Sequence, residues 1–377
     1  MKLSHLWAGW MRSAVPAAAV AAPGPALPAT TAPAFDPAAS LSPGRRAWRR
    51  FKRNRIGVIS LRIVGVLLFL SIAAPLISNE HPLLAHYNGK LYMPILSDPP
   101  ETEFGGDFDT DTDWLDPLIQ RRFAEPGNWA LFTLNRYSGS TINFSTKKAH
   151  PAPPSAENWL GTDDRGRDVL ARLLYGFGIG MLFAFGLTWL TTAVGLLVGA
   201  VQGYFGGWVD LGLQRFSEVW NALPTLYLLI ILAAIFTPTI LLLMGIFTLF
   251  SWITLADYVR AEFLRNRGLE FVKGARAMGL SSARIMWRHI LPNSLTPVIT
   301  FLPFRLSEGL LLLTALDFLG LGVPGSVPSL GDLLNQGKNN LDAWWLSLPT
   351  IALLVTTLLL LTFVGDSLRD AYDTRKS

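Results

Sequence analysis

Residues 257–293 read DYVRAEFLRNRGLEFVKGARAMGLSSARIMWRHILPN, a basic amphipathic stretch set between long apolar runs. Seven Lys or Arg (Arg260, Arg265, Arg267, Lys273, Arg276, Arg284, Arg288) stand against three acids (Asp257, Glu262, Glu270). Phe271, Ala275 and Met278 recur at i, i+4 and i+7, which predicts one apolar stripe on a helix whose other side carries Lys273 and Arg276. Gly279 is placed to end that helix and Ser281 to cap a second one, in which Ile285, Met286, His289 and Ile290 share a face until Pro292 stops it. The expected product is a helix, a glycine elbow and a helix, held at a membrane surface.

Half of the 377 residues are hydrophobic and only 16% are charged, which argues against a soluble globular chain. The net charge of +5 sits in short clusters beside apolar runs. That is the distribution of membrane topology signals, not of a nucleic-acid surface. With no cysteine in the sequence, a disulfide, a thiolate nucleophile or a Cys-ligated metal site is excluded.

Residues 1–44 are rich in Ala and Pro and read as a disordered tail. A signal peptide, with Lys2 and Arg12 as its charged region, is the rival reading. Pro16, Pro23, Pro25 and Pro28 break the apolar run that such a signal needs. Arg45 to Arg55 then carries seven basic residues in eleven, and Ile56 to Ser78 follows with Arg62 as its only charge. Residues 45–78 are thus a basic flank and a first transmembrane helix, with the N-terminus in the cytoplasm and Arg62 near enough to the start to snorkel.

Residues 79–172 form a polar insertion, with fourteen acids against nine Lys or Arg from Glu80 to Arg172. Its acidic balance and its aromatic residues between Tyr87 and Phe144 suit an extracytoplasmic lobe with a small packed core. Within it the run Asp163-Asp164-Arg165-Gly166-Arg167-Asp168 has interleaved arginines that would repel a cation, so self-paired surface charge is expected.

Residues 173–377 supply the remaining spans. A second is centred on Ile179 to Gly203, with Gly195, Gly199 and Gly203 spaced for close helix approach. The uncharged run Val219 to Ala256 is divided by Thr237-Pro238-Thr239 into a third and a fourth. A fifth runs from near Ser294 to near Val323, and Ala343 to Gly365 is a sixth, after a polar outer loop. Both termini and the stretch 257–293 then fall on the cytoplasmic side. Arg305, Glu308 and Asp317 lie inside the fifth span, where charge is costly; they mark either a translocation path or, for Arg305 and Glu308, a structural pair.

The order VKGARAMGLSSARIMWRHILPN, residues 272–293, resembles the "EAA" cytoplasmic loop of ABC importer permeases. The resemblance makes Gly274 and Ala275 the small pair, Gly279 the turn and His289 to Asn293 the closing element. Lys273 departs from it, standing where the motif has Glu. NWLGTDDRGRDVLARLLYG, residues 158–176, is similar to the signature before the second helix of the dipeptide/oligopeptide permease family. LDFLGLGVPGSVPSLGDLLNQGKNNL, residues 316–341, resembles the Yej-type subgroup, including the acid at Asp317; the likeness extends over roughly Leu41 to the C-terminus.

What the resemblance implies is an all-α integral membrane protein, with six transmembrane helices of the ABC importer type I permease kind and an extracytoplasmic insertion between helices 1 and 2. It implies a transport subunit for peptides whose Lys273, Gly274, Ala275 and Gly279 dock on ATPase subunits. ATP and magnesium would be bound by those partners. A second homologous permease, an extracytoplasmic peptide-binding protein and membrane lipid complete the expected partners, in a cell inner membrane.

The rival class is an ATP-independent secondary carrier or a membrane enzyme, for which the charges of the fifth span would form a proton relay. Against it, Gly331 to Asn339 has five residues between its glycines where a phosphate loop needs four. The five histidines are scattered, and no catalytic or metal-binding spacing is present.

Overall fold

The computed structural model describes residues 43–146 and 148–373. Of the expected tail, residues 1–42 lie outside the described residues. The chain divides into two units between Arg46 and Ala47. Pro43–Arg46, the first turn of helix α1 (Pro43–Arg53), is all that is described of the first unit.

In α1 the rings of Trp48 and Phe51 stack at 5.4 Å, with Phe51 buried and Trp48 exposed. Asn54 interrupts the helix and caps α2 (Arg55–Ile72), accepting from the Gly57 amide at 3.3 Å. The 18 residues of α2 reach about 27 Å, close to the thickness of a bilayer core. A single turn, α3 (Ala74–Ile77), leads out of it.

The insertion that follows makes the chain helical but not all-α. β1 (Leu84–Tyr87), β2 (Lys90–Tyr92) and β3 (Trp129–Leu131) form an antiparallel sheet in the order β2-β1-β3. Asn88 and Gly89 turn between β1 and β2 with φ of 48° and 78°, the two positive values that a two-residue hairpin turn demands. Tyr87, Phe104, Trp114 and Ile119 pack behind the sheet, with Phe123 of α4 (Pro117–Phe123) against them. The Phe104 ring lies 5.0 Å from Trp114 and 5.3 Å from Tyr87, both edge-on.

α5 (Val169–Phe205) has 37 residues and reaches about 55 Å, so it outruns the predicted second span at its start. Asp168 begins it, accepting from the Ala171 amide and from Asn135 and Asn158, each at 2.8 Å. The neighbouring charges are self-paired as expected: Asp164 and Arg165 stay at the surface, whereas Asp163, Arg167 and Arg172 are buried. Arg167 Nη2 meets Asp163 at 2.6 Å and Arg172 Nη2 meets Asp332 at 2.9 Å, while Arg172 also donates to the Gly139 carbonyl. The sequence spacing shows the pairing; only the fold brings Asp332 and the 135–143 turn over it.

α6 (Gly207–Asn221), α7 (Thr225–Ile235), α8 (Ile240–Ser251) and α9 (Ile253–Asn266) follow. α7 has 11 residues and covers about 17 Å, short of the hydrocarbon core, because the chain breaks at Ala222–Pro224. α8 and the apolar start of α9 meet at a bend of 41°. Gly195, Gly199 and Gly203 of α5 press against α9: a Cβ at Gly199 would stand 2.4 Å from the Ala256 carbonyl oxygen, and one at Gly203 2.4 Å from Phe263 Cβ.

α10 (Glu270–Ala277) and α11 (Ser282–Arg284) form the elbow, and a π turn at Ile285–Ile290 carries α11 into α12 (Leu291–Phe318). Pro292 therefore does not stop the helix. It has no amide proton to give and its ring crowds the carbonyl four residues back; the wider turn, closed by Leu291 N donating to Met286 O, accommodates both. The expected polar outer loop contains α13 (Leu330–Asn339), whose Leu330 and Leu333 join Val169, Phe177 and Leu310 in the core, and α14 (Trp344–Tyr372) closes the chain. Residues 331–339 are thus helix, not a phosphate loop. Among the described residues four helices are long and apolar enough to cross a membrane, or five if the bent pair α8–α9 is one span.

Candidate functional site

The elbow's first arm, α10, is held from inside. Val272 is 0% and Ala275 1% exposed, packed in a cluster with Tyr204, Val259, Phe263, Ile285, Met286 and Ile290. Phe271 and Met278, predicted to share one apolar stripe with Ala275, are 43% and 75% exposed. The inward face is turned by one residue because tertiary packing on α5 and α9 sets the rotation of so short a helix. Phe271, Gly274 and Met278, at i, i+3 and i+7, consequently form an apolar face directed outward. Lys273 is exposed and paired with Glu270 at 2.9 Å.

Gly279 turns the chain at φ 79°. Leu280 N donates to Ala275 O at 3.2 Å and Gly279 N to Arg276 O at 3.0 Å, the paired bonds of a left-handed helix stop. Ser281 occupies the cap position of α11 with extended backbone but makes no side-chain cap bond. Arg276 sits with Cζ 5.7 Å from the Tyr204 ring centroid, which fixes α10 to the end of α5.

The elbow's flanking helices are tied at three levels. Asn266 Nδ2 donates to Ser294 Oγ at 2.9 Å, next to the elbow. The Tyr258 and Phe301 rings meet at 4.8 Å, one level further. Arg305 Nη1 donates to the Ser251 carbonyl at 3.0 Å, at the break between α8 and α9. A fourth tie joins α6 to α9: Arg260 grips Asp210 through Nε at 2.5 Å and Nη2 at 2.7 Å. That bidentate bond holds the Asp210 carboxyl below the usual carboxylate range, with burial opposing. None of these ties follows from sequence spacing, since each joins residues 28 or more apart.

The three charges of α12 separate. Arg305 is spent on Ser251 and makes no ion pair with Glu308 within 4.0 Å; Glu308 is exposed. Asp317 is buried, accepting from the Val323 amide at 2.9 Å and from Ser329 Oγ, so it fastens the end of α12 to the start of α13. The three do not converge on one site.

In the insertion a cavity of about 1280 Å³ is lined by Glu80, His81, Asp98, Asp113, Trp114 and Tyr137, among others. Burial raises the Glu80 and Asp98 carboxyls above their ordinary range, His81 opposing it in both.

Apolar helices carrying a buttressed, outward-facing elbow between two of them define a helical membrane protein. Residues 178–377 match the binding-protein-dependent transport system inner membrane component, and residues 42–97 the N-terminal TM domain of oligopeptide transport permease C. The chain belongs to the first of these families. It is 47% identical over 338 residues to the inner membrane ABC transporter permease protein YejE of Escherichia coli K12, covering 89% of this chain and 99% of that one. It is 44% identical to the peptidoglycan transport system permease protein YejE of Agrobacterium fabrum, over 88% and 93% of the two chains. To the oligopeptide transport system permease protein OppC of Lactococcus lactis it is 33% identical, over 60% and 78%.

Proposed function

We propose that this chain is the permease subunit of an ATP-binding cassette importer for peptides, forming half of the translocation path. The carrying observation is the outward apolar face of Phe271, Gly274 and Met278 on an arm whose other side is packed into the subunit's own core. A surface so arranged can receive force without deforming. The ATPase subunits that dock there bind ATP and magnesium. A second homologous permease supplies the other half of the path, and an extracytoplasmic binding protein delivers the peptide to the acidic lobe.

Six crossings fit this reading: α2, α5, α7 completed by the break at Ala222–Pro224, the bent pair α8–α9, α12 and α14. Both termini and the elbow are then cytoplasmic and the insertion lies outside, which agrees with the basic α1 and the acidic lobe. Ala275 serves the docking from within, as packing; Gly274 and Lys273 serve it from the surface. The nucleotide state of the ATPases biases two membrane conformations of similar free energy.

The test is uptake of defined di- to hexapeptides by a deletion strain that carries either the wild-type gene or one encoding Met278→Glu. Uptake that returns with the first and not with the second supports the reading; uptake by wild-type protein in vesicles without any ATPase refutes it.

A further inference from the structure

The break between α8 and α9 leaves the last carbonyls of α8 without partners in their own helix. Two indoles converge on one of them: Trp220 Nε1 and Trp252 Nε1 each donate to Leu249 O at 2.8 Å. The guanidinium of Arg305 takes another, Ser251 O, at 3.0 Å. A cation at a helix C-terminus is favoured by the helix dipole, and this one is supplied by α12, the helix on the far side of the elbow. The ties of α12 to α9 and to the end of α8 therefore climb in antiparallel order from the elbow to the break: 266 with 294, 258 with 301, 251 with 305.

We infer that Arg305 is a positioning residue for coupling. It fastens the α9–α12 pair to the α8–α9 break, so that a displacement of the elbow arrives there as a change of bend. Because α9 and α12 are held in register below it, by the Asn266–Ser294 bond and the Tyr258–Phe301 contact, the pair moves as one lever. The Ser251 carbonyl is the point where that lever grips α8. Glu308, one turn further along α12 and exposed, is not needed for the grip. This role rests on the docking function proposed above.

The experiment uses the assembled transporter, with this chain carrying Leu241→Cys on α8 and Ala261→Cys on α9. This chain has no cysteine of its own, so within it spin labels attach only there. The distance between the labels is measured without nucleotide and with ATP trapped, beside ATP hydrolysis by the same sample. In the parent chain the distance is expected to change with nucleotide. In Arg305→Ala the change should be lost while ATP hydrolysis continues, and Arg305→Lys, which still offers a charged donor, should restore it. An unchanged shift in Arg305→Ala, or no shift in the parent chain, overturns the inference. Arg305→Met makes the same comparison if the alanine variant does not assemble. Failure of the ATPase to co-purify with the parent chain would instead count against the docking function itself.

Discussion

The side chain of Asn266 donates to Ser294 Oγ at 2.9 Å across the mouth of the elbow, and the Ser294 hydroxyl donates in turn to the Ile290 carbonyl at 3.1 Å. Both residues are buried, so the 27 residues between them leave and return through a closed gate. Ser294→Ala leaves the Asn266 amide buried without this acceptor, while in Asn266→Leu Ser294 keeps only its bond to Ile290. Asn266→Leu or Ser294→Ala should each lower stability by about 1–3 kcal/mol. The double variant should cost less than the sum, as read from unfolding midpoints in detergent. Strict additivity would mean that the bond closes nothing.

Gly279 carries φ 79°, and a Cβ there would meet nothing within 4 Å. The penalty of Gly279→Ala is therefore backbone strain alone, roughly 1–2 kcal/mol. Gly274→Ala has open space as well and lies inside α10, without the strain. Limited proteolysis should find the elbow loosened in the first variant and unchanged in the second. Loss of ATPase co-purification with Gly274→Ala would then report on the docked face, not on folding.

Gly199→Ala places a methyl group 2.4 Å from the Ala256 carbonyl oxygen and must part α5 from α9. Overpacking of this kind costs about 1–3 kcal/mol. Gly212→Ala, inside α6 with nothing within 4 Å, is the control and should hold or slightly raise the midpoint. Equal midpoints for the two variants would contradict the close approach.

Much of this was readable in the chain itself. The glycine stripe of α5, the turn at Gly279 and the division of the apolar run near Pro238 are local chemistry, and local chemistry survives folding. The hairpin was also announced, by Asn88-Gly89, but it sat in a segment read for its charge. What the sequence withheld was rotation and partnership. Phe271 and Val272 are neighbours in a helix of eight residues, and only the packing of Tyr204, Ile285 and Met286 decides which of them turns inward. Arg305 and Glu308 have helix-pair spacing, yet the bend between α8 and α9 brings the Ser251 carbonyl to Arg305 instead. Asp163 and Arg167 read as surface charge because Asp332, which pairs with Arg167 and Arg172 over them, is 160 residues or more away.

The Asp210–Arg260 pair gives a pH dependence with a definite sign. The folded carboxyl is depressed below its unfolded value of about 3.9. Its stabilisation is complete above that value and is lost as pH falls through the folded pKa. Asp210→Asn should therefore lower the unfolding midpoint at pH 7 and flatten its decline below about pH 4. A variant that declines as steeply as the parent chain would show that other carboxylates set the acid limit.

The central claim is that the face of Phe271, Gly274 and Met278 lies inside the cell under an ATPase. Met278→Cys puts a thiol at that face in a chain that has no other. A membrane-impermeant maleimide should leave it unlabelled in intact spheroplasts and label it in inside-out vesicles stripped of ATPase, with protection returning when the ATPase is added back. Labelling of Met278→Cys from outside intact spheroplasts, or no protection by the ATPase, would contradict the account.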